Sequence, residues 1–132
     1  MPWSVNFNPS LGIIEEVFYG LVPASELTEA TSQRILLQKE TSITKILNDV
    51  SDVKLEASVI DILNFPDKQY PEENADRKTR MALILPKCNK ARNMAEFFMT
   101  ASLNRGWTVR PFEERQSALD WLQTQPLSKN HA

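Results

Sequence analysis

The 132-residue chain has very little histidine, cysteine and glycine. Its one histidine, His131, is the penultimate residue, so neither a Ser–His nor a Cys–His catalytic pair is expected. Its one cysteine, Cys88, can form neither an internal disulfide nor a cysteine-rich zinc site. The three glycines, Gly12, Gly20 and Gly106, are too widely spaced for a phosphate-binding glycine loop. These absences predict a protein that is not an enzyme and uses no metal or cofactor.

The chain also lacks a strong excess of one charge and a long apolar run. Its formal net charge of -2 argues against nucleic-acid binding, which usually needs a clearly basic domain. The start, "MPWSVNF", has no basic segment followed by a long apolar core, so we expect no secretory signal there. The longest strongly apolar run, Met81 to Leu85, is far shorter than the roughly 20 residues that cross a bilayer. We therefore expect a cytoplasmic protein with no integral membrane association.

What the sequence does contain is alternating strand and helix patterns. Trp3, Val5 and Phe7 alternate with polar residues, and a β-branched and aromatic run at 13–19 follows a turn, which predicts an antiparallel hairpin. Helices are then predicted at about 23–40, 58–65, 89–105 and around 118–122, with strands at about 44–50, 81–85 and 107–112. This order predicts an α/β fold with a mixed, mainly parallel sheet of about five strands, opened by the hairpin, and about four helices. We expect one domain over residues 1–125 and a flexible tail over 126–132.

One segment of the chain looks like a loop. The stretch "PDKQYPEENADRKT", residues 66–79, is polar and contains two prolines. Because proline cannot continue a helix, Pro66 is expected to end the second helix after Phe65. The sequence therefore predicts an exposed loop here.

The order of these elements, together with two short motifs, resembles a known family. The chain ends its patterned part in "RPFEERQSALDWL", and its most specific residues are Phe112, Ala118, Leu119, Trp121 and Leu122. The stretch "GLVPASEL" at 20–27 is similar to the family's glycine-then-helix segment after the second strand. Over about residues 3–123 the chain resembles the SpoIIAA-like family, within the wider STAS and CRAL-TRIO-like group. That resemblance implies a bacterial, non-catalytic interaction module, acting through a protein partner or by self-association, for instance as a dimer.

Ser58 is the regulatory candidate that the resemblance provides. STAS relatives carry a phosphorylated serine at the start of the short helix after the third strand, within an Asp-Ser-Ser-Gly motif. The matching residues here are Glu56, Ala57, Ser58 and Val59, so three of the four positions differ. The residues themselves predict a helix cap, because Ser58 followed three residues later by Asp61 is a capping-box pattern. Both hypotheses, a phosphosite and a simple cap, stay open at this stage.

Ligand-site candidates come from two other features. Ligands of open α/β sheets bind beyond the carboxyl ends of the parallel strands, which here carry charged residues; these are Asp49, Asp52, Lys87 and Arg110. Met94 and Phe98 lie on one face of the third predicted helix, and CRAL-TRIO-like relatives hold lipids beneath helices. A second hypothesis is therefore a small carrier of a lipid or another apolar or anionic ligand. Cys88 is expected to be semi-buried and structural.

Overall fold

The structure, a computed structural model, describes residues 2–55 and 58–124. The strands are β1 (Trp3–Asn8), β2 (Ile13–Val22), β3 (Lys45–Leu55), β4 (Arg80–Ile84) and β5 (Thr108–Phe112). The helices are α1 (Ala24–Thr41), α2 (Val59–Asn64), α3 (Asn89–Asn104) and α4 (Arg115–Gln123). The predicted tail, which includes His131, lies outside the described residues. Glu56 and Ala57 of the serine motif also lie outside them.

The strands form one mixed sheet in the order β1-β2-β3-β4-β5. The β1–β2 pair is antiparallel, and the other three pairs are parallel. The predicted hairpin and the predicted mainly parallel α/β sheet are therefore confirmed. The third strand runs to Leu55, five residues beyond the predicted end at Val50, because residues 52–55 continue to pair with the end of β2.

The sheet separates two apolar clusters. Parallel strands that follow one another in space are joined by right-handed connections, which place the intervening helices on the same face. Accordingly α1, α2 and α3 pack on one face and share the larger core cluster with β2 to β5. The smaller cluster lies on the opposite face, where Ala118 and Leu122 of α4 pack against Ile13, Leu47 and Ala82.

The prediction of a loop at 66–79 was wrong for the first part of that segment. The helix α2 continues without a break through a π-helical turn, Phe65–Gln69, and a last helical turn, Tyr70–Glu72. In the π turn the Tyr70 N–H donates to the Phe65 carbonyl, a five-residue step that accommodates Pro66 at the start of the turn. Phe65, Pro66, Gln69 and Tyr70 are buried, so apolar packing outweighs the polar composition of the segment.

The buried amide of Gln69 anchors this segment to α1. Its Nε2 donates to the Thr28 carbonyl at 2.9 Å and to the Ser32 hydroxyl at 3.0 Å. The same atom lies 2.9 Å from a carboxylate oxygen of Glu73. These bonds satisfy a polar group that would otherwise be costly to bury. They hold the π turn against α1, which brings Tyr70 into the core.

A candidate ligand cavity beneath the helices

A cavity of about 70 Å³ lies between the sheet and the helices α1, α2 and α3. The space is partly open to solvent, so it is a pocket that reaches into the core and not an enclosed void. Most of its wall is apolar, from Phe18 and Val53 on the sheet to Ile62, Phe65 and Phe98 on the helical side. Two lining residues are half-buried, Val50 and Met94, and they mark the side on which the cavity meets solvent.

A buried ion pair forms part of the cavity wall. Glu16, on β2, is 1% exposed, and Arg34, on α1, is 2% exposed. Arg34 Nε lies 3.5 Å from Glu16 Oε1, which is within ion-pair distance but is not a hydrogen bond. Burial raises the pKa of Glu16, and the charge of Arg34 opposes that shift. The pair therefore carries a desolvation cost that its geometry only partly offsets.

Arg34 is held from two further sides. Its Nη1 donates to Gln38 Oε1 at 2.8 Å, and Gln38 Nε2 donates to the Thr79 hydroxyl at 3.0 Å. Its guanidinium lies over the Tyr70 ring, 5.3 Å from the ring centroid. Burial raises the pKa of Tyr70 to about 12, with the Glu16 carboxylate adding to the rise and Arg34 opposing it. The phenol is therefore uncharged at neutral pH.

Asn48 completes the polar part of the wall. It is the register partner of Glu16 in the parallel β2–β3 pair, so the two side chains stand next to each other on the same face. Asn48 is 8% exposed, and its Nδ2 lies 3.6 Å from Met81 Sδ, a weak acceptor. Its Oδ1, like Glu16 Oε2, is buried and has no hydrogen-bond partner among the described residues. Two acceptor oxygens are thus left unpaired on adjacent strands.

The sequence contained a signal for Glu16 and Arg34 that we did not use. Glu16 lies between Ile14 and Phe18 on the face that points to the helices, because strand residues alternate between faces. Arg34 follows Leu27 and Thr31 by seven and three residues, so it continues the buried side of α1. The sequence pattern therefore places one charged residue on the apolar face of β2 and one on the apolar face of α1. Tyr70 was missed for another reason, because it lies in the segment that we predicted as a loop.

The structure brings only two of the predicted ligand-site residues to this cavity. Met94 and Phe98 of α3 both line it. Asp49 accepts hydrogen bonds from the backbone N–H of Ser51 at 3.0 Å and from its hydroxyl at 2.7 Å. The remaining three side chains are exposed and do not line the cavity; they are Asp52, Lys87 and Arg110. Arg110 lies 5.9 Å from the Trp121 ring centroid, beside α4.

Ser58 caps α2, as the capping-box pattern predicted. Its hydroxyl accepts a hydrogen bond from the Asp61 N–H at 3.2 Å, and the Asp61 carboxylate accepts from the Ser58 N–H at 2.9 Å. Ser58 is exposed. The helix-cap hypothesis is therefore confirmed, and phosphorylation of Ser58 stays a prediction.

The expectation for Cys88 was wrong. The residue precedes α3 and is exposed rather than semi-buried, because it lies at the N-cap position, outside the packed side of the helix. The backbone N–H groups of Ala91 and Lys90 lower the pKa of the Cys88 thiol. Over residues 2–55 and 58–124, no group of three or more histidine, cysteine or acidic residues is placed to hold a metal ion. Within the same ranges no helix combines the length and the hydropathy that a membrane span requires.

The arrangement of sheet and helices defines a SpoIIAA-like fold. The sequence matches no protein-family model and no curated protein sequence. A solved structure that the chain resembles is that of an uncharacterized protein of the DUF3478 family, with a SpoIIAA-like fold, from Shewanella loihica PV-4. The two share 16% sequence identity over 91% of each chain, with a TM-score of 0.54. This likeness confirms the predicted fold, and at that identity it says nothing of activity.

Proposed function

We propose that this chain is a non-catalytic ligand-binding module that holds a small, mainly apolar molecule in the cavity beneath α1, α2 and α3. The observation that carries the proposal is the cavity itself, an apolar space of about 70 Å³ with one side open to solvent. Ligand sites are typically concave and apolar, with a few convergent polar groups. Here those groups are Glu16, Arg34 and Asn48.

The chemistry of the wall supports binding over catalysis. Glu16 is the one carboxylate among the described lining residues, and it is paired with Arg34. The described lining also carries the hydroxyls of Thr31 and Tyr70, and it contains no histidine, cysteine or serine. General acid–base catalysis most often uses a histidine, and a hydroxyl nucleophile needs an adjacent base to activate it. A binding role requires only the shape and polarity that are present.

The test is to identify what the protein carries when it is purified gently from its own cells. Native mass spectrometry, followed by solvent extraction and mass spectrometry of the extract, is expected to show a small molecule in stoichiometric amount. Ala95→Leu should lose it, because Ala95 lines the cavity and a larger side chain fills the space. Ala101→Leu is the matched control, since Ala101 is buried on the same helix but does not line the cavity. A clean unmodified mass and an empty extract would contradict the proposal.

A second candidate function is an interaction module regulated at Ser58. The observation that favours it is an exposed Ser58 hydroxyl near Ile60, whose side chain is 71% exposed. A phosphate on Ser58 would add charge beside the Asp61 carboxylate and would therefore open the capping box. A phosphate-sized mass excess in cells that disappears in Ser58→Ala would support this candidate. Native mass spectrometry of the same sample also reports whether the protein is a dimer.

A further inference from the structure

The polar end of the cavity contains unpaired hydrogen-bonding atoms of both kinds. Within residues 2–55 and 58–124, Glu16 Oε2 and Asn48 Oδ1 are buried oxygens without a hydrogen-bond partner, and Arg34 Nε is a buried donor without one. All three residues are more than nine-tenths buried and line the cavity. Buried polar groups in folded proteins are almost always paired, by protein or by water. Because the three residues line the cavity, we expect a partner for these atoms inside it.

The register of the sheet places two of these residues side by side. Glu16 and Asn48 are direct partners in the parallel β2–β3 pair, and adjacent strands lie about 4.8 Å apart. One small polar group can therefore reach both side chains. The third atom, Arg34 Nε, lies 3.5 Å from the other oxygen of the Glu16 carboxylate. The three side chains thus form one polar part of the cavity wall.

The charges of the wall limit what that group can be. Arg34 and Glu16 oppose each other in charge, so the described wall provides no free buried charge to compensate a charged ligand. Burying an ammonium or a carboxylate there without a partner would be strongly unfavourable. An uncharged group that donates to the oxygens and accepts from the guanidinium meets the requirement. A hydroxyl and a primary amide both do so.

We propose that the ligand of this cavity carries an uncharged hydroxyl or primary amide on an apolar body, and that Glu16 and Asn48 bind this polar head. The inference rests on the proposed function and defines the chemical class of the ligand. The apolar body lies along the wall formed by Phe18, Ile62 and Phe98, towards the open side at Met94. The cavity is small, so it holds the head and the first few carbons.

The experiment compares 1-pentanol with its isomer methyl butyl ether, which has the same atoms but cannot donate a hydrogen bond. Pentylammonium and pentanoate supply the same chain with charged heads. Binding is measured by titration of protein labelled with ¹³C on the methionine methyl groups. Met94 lines the cavity, and Met99 of the same helix does not, so Met99 serves as the internal reference. We expect 1-pentanol to bind on the order of tenfold more tightly than the ether and both charged probes.

Substitutions at Asn48 and Glu16, with one at Asn6 as the control, test which residues cause the preference for the alcohol. Asn48→Leu removes one acceptor at similar volume and should reduce the alcohol-to-ether ratio to near one. Asn6→Leu makes the same change at an exposed position of β1 and should leave the ratio unchanged. Should Asn48→Leu fail to fold, Glu16→Gln is used in its place. It replaces one carboxylate oxygen with an NH2 group and should also reduce the alcohol-to-ether ratio. The comparison of probes on the unaltered protein does not depend on either variant.

The outcomes separate this inference from the proposed function. Equal binding of the alcohol and the ether at Met94, or tighter binding of a charged probe, would overturn the polar-head inference and leave the ligand cavity standing. No shift of Met94 with any of the four probes would overturn both, and would indicate that ordered water alone pairs these atoms. A preference for the alcohol that Asn48→Leu does not change would assign the selectivity elsewhere and would overturn the role given to Asn48.

Discussion

Glu15 and Glu16 are neighbours on β2, yet their carboxylates lie on opposite faces of the sheet in opposite environments. Glu15 Oε1 accepts a hydrogen bond from Arg115 Nη1 of α4 at 2.6 Å, and this bond lowers the pKa of Glu15. Glu16 is buried beside Arg34 of α1, and burial raises its pKa. Because successive side chains of a strand point to opposite faces of the sheet, the two carboxylates cannot act as a pair.

These opposite pKa shifts predict opposite pH dependences of stability. The folded pKa of Glu16 lies above its unfolded value of about 4.3, so its contribution is present below that value and is lost as pH rises through the folded pKa. The folded pKa of Glu15 lies below its unfolded value, so its contribution is lost as pH falls through the folded pKa. We expect the free energy of unfolding, relative to Glu16→Gln, to fall as pH rises from about 4. Relative to Glu15→Gln, it should fall as pH drops below about 4.

Urea unfolding of the unaltered protein and the two variants between about pH 3 and 7 checks this pair of slopes. Each variant is the other's control, because both replace one carboxylate on the same strand with an amide. The Glu15 effect should be small, below about 1 kcal/mol, because its partner Arg115 is half exposed. If the difference in free energy of unfolding changed with pH in the same direction for both variants, the environments described for Glu15 and Glu16 would be contradicted.

Filling the cavity should be tolerated where filling the packed part of α3 is not. Ala95→Leu extends into the cavity, so we expect it to leave the free energy of unfolding unchanged or to raise it by about 0.5–2 kcal/mol. Ala101→Leu has no such space and should lower the free energy of unfolding by about 1–3 kcal/mol. Thermal and urea unfolding of the ligand-free protein measure both. Equal destabilisation by the two substitutions would indicate that the cavity cannot accept a side chain.

Most of the fold could be predicted from the sequence, because it depends on periodic apolar patterns. The alternation at Trp3, Val5 and Phe7 and the stripe at Met94 and Phe98 each identify an element directly. The helical turns at 65–72 could not be predicted in this way. Their local composition favours a loop. Contacts with residues distant in the sequence stabilise them as helix, such as the hydrogen bond from Gln69 to the Thr28 carbonyl.

The candidate site was only partly predictable for a related reason. Apolar wall residues, such as Phe98, can be predicted from the helical spacing of apolar residues in the sequence. The positions of Glu16 and Arg34 on apolar faces indicate burial, but only the packing of α1 on the sheet shows that the two charges face each other. Asn48 becomes a neighbour of Glu16 only through the register of β2 and β3, which no local pattern specifies.

The Cys88 thiol should react at lower pH in the folded protein than in the unfolded chain. Its pKa is lowered chiefly by the backbone N–H groups of Ala91 and Lys90, with a smaller effect of the Lys54 and Lys90 charges. The rate of iodoacetamide alkylation, measured against pH with and without urea, gives both midpoints. Lys90→Gln keeps the backbone N–H and should retain most of the difference. Identical midpoints in the folded and unfolded chains would show that the start of α3 does not act on the thiol.

The capping box of α2 should behave as a unit of two residues. Ser58→Ala removes the acceptor of the Asp61 N–H and should lower the free energy of unfolding by about 1 kcal/mol. Ser10→Ala, at an exposed turn position, is the control and should change it by less than about 0.5 kcal/mol.

The double substitution of Ser58 and Asp61 by alanine separates a reciprocal box from two independent contacts. Each side chain accepts from the other's backbone N–H, so losing either disturbs the geometry that the remaining bond needs. The double variant should therefore lose less stability than the two single variants together, by more than about 0.5 kcal/mol. Urea unfolding of all four proteins gives this coupling. Additive losses would mean that the two hydrogen bonds form independently, and a phosphate on Ser58 would then disturb the start of α2 through charge alone.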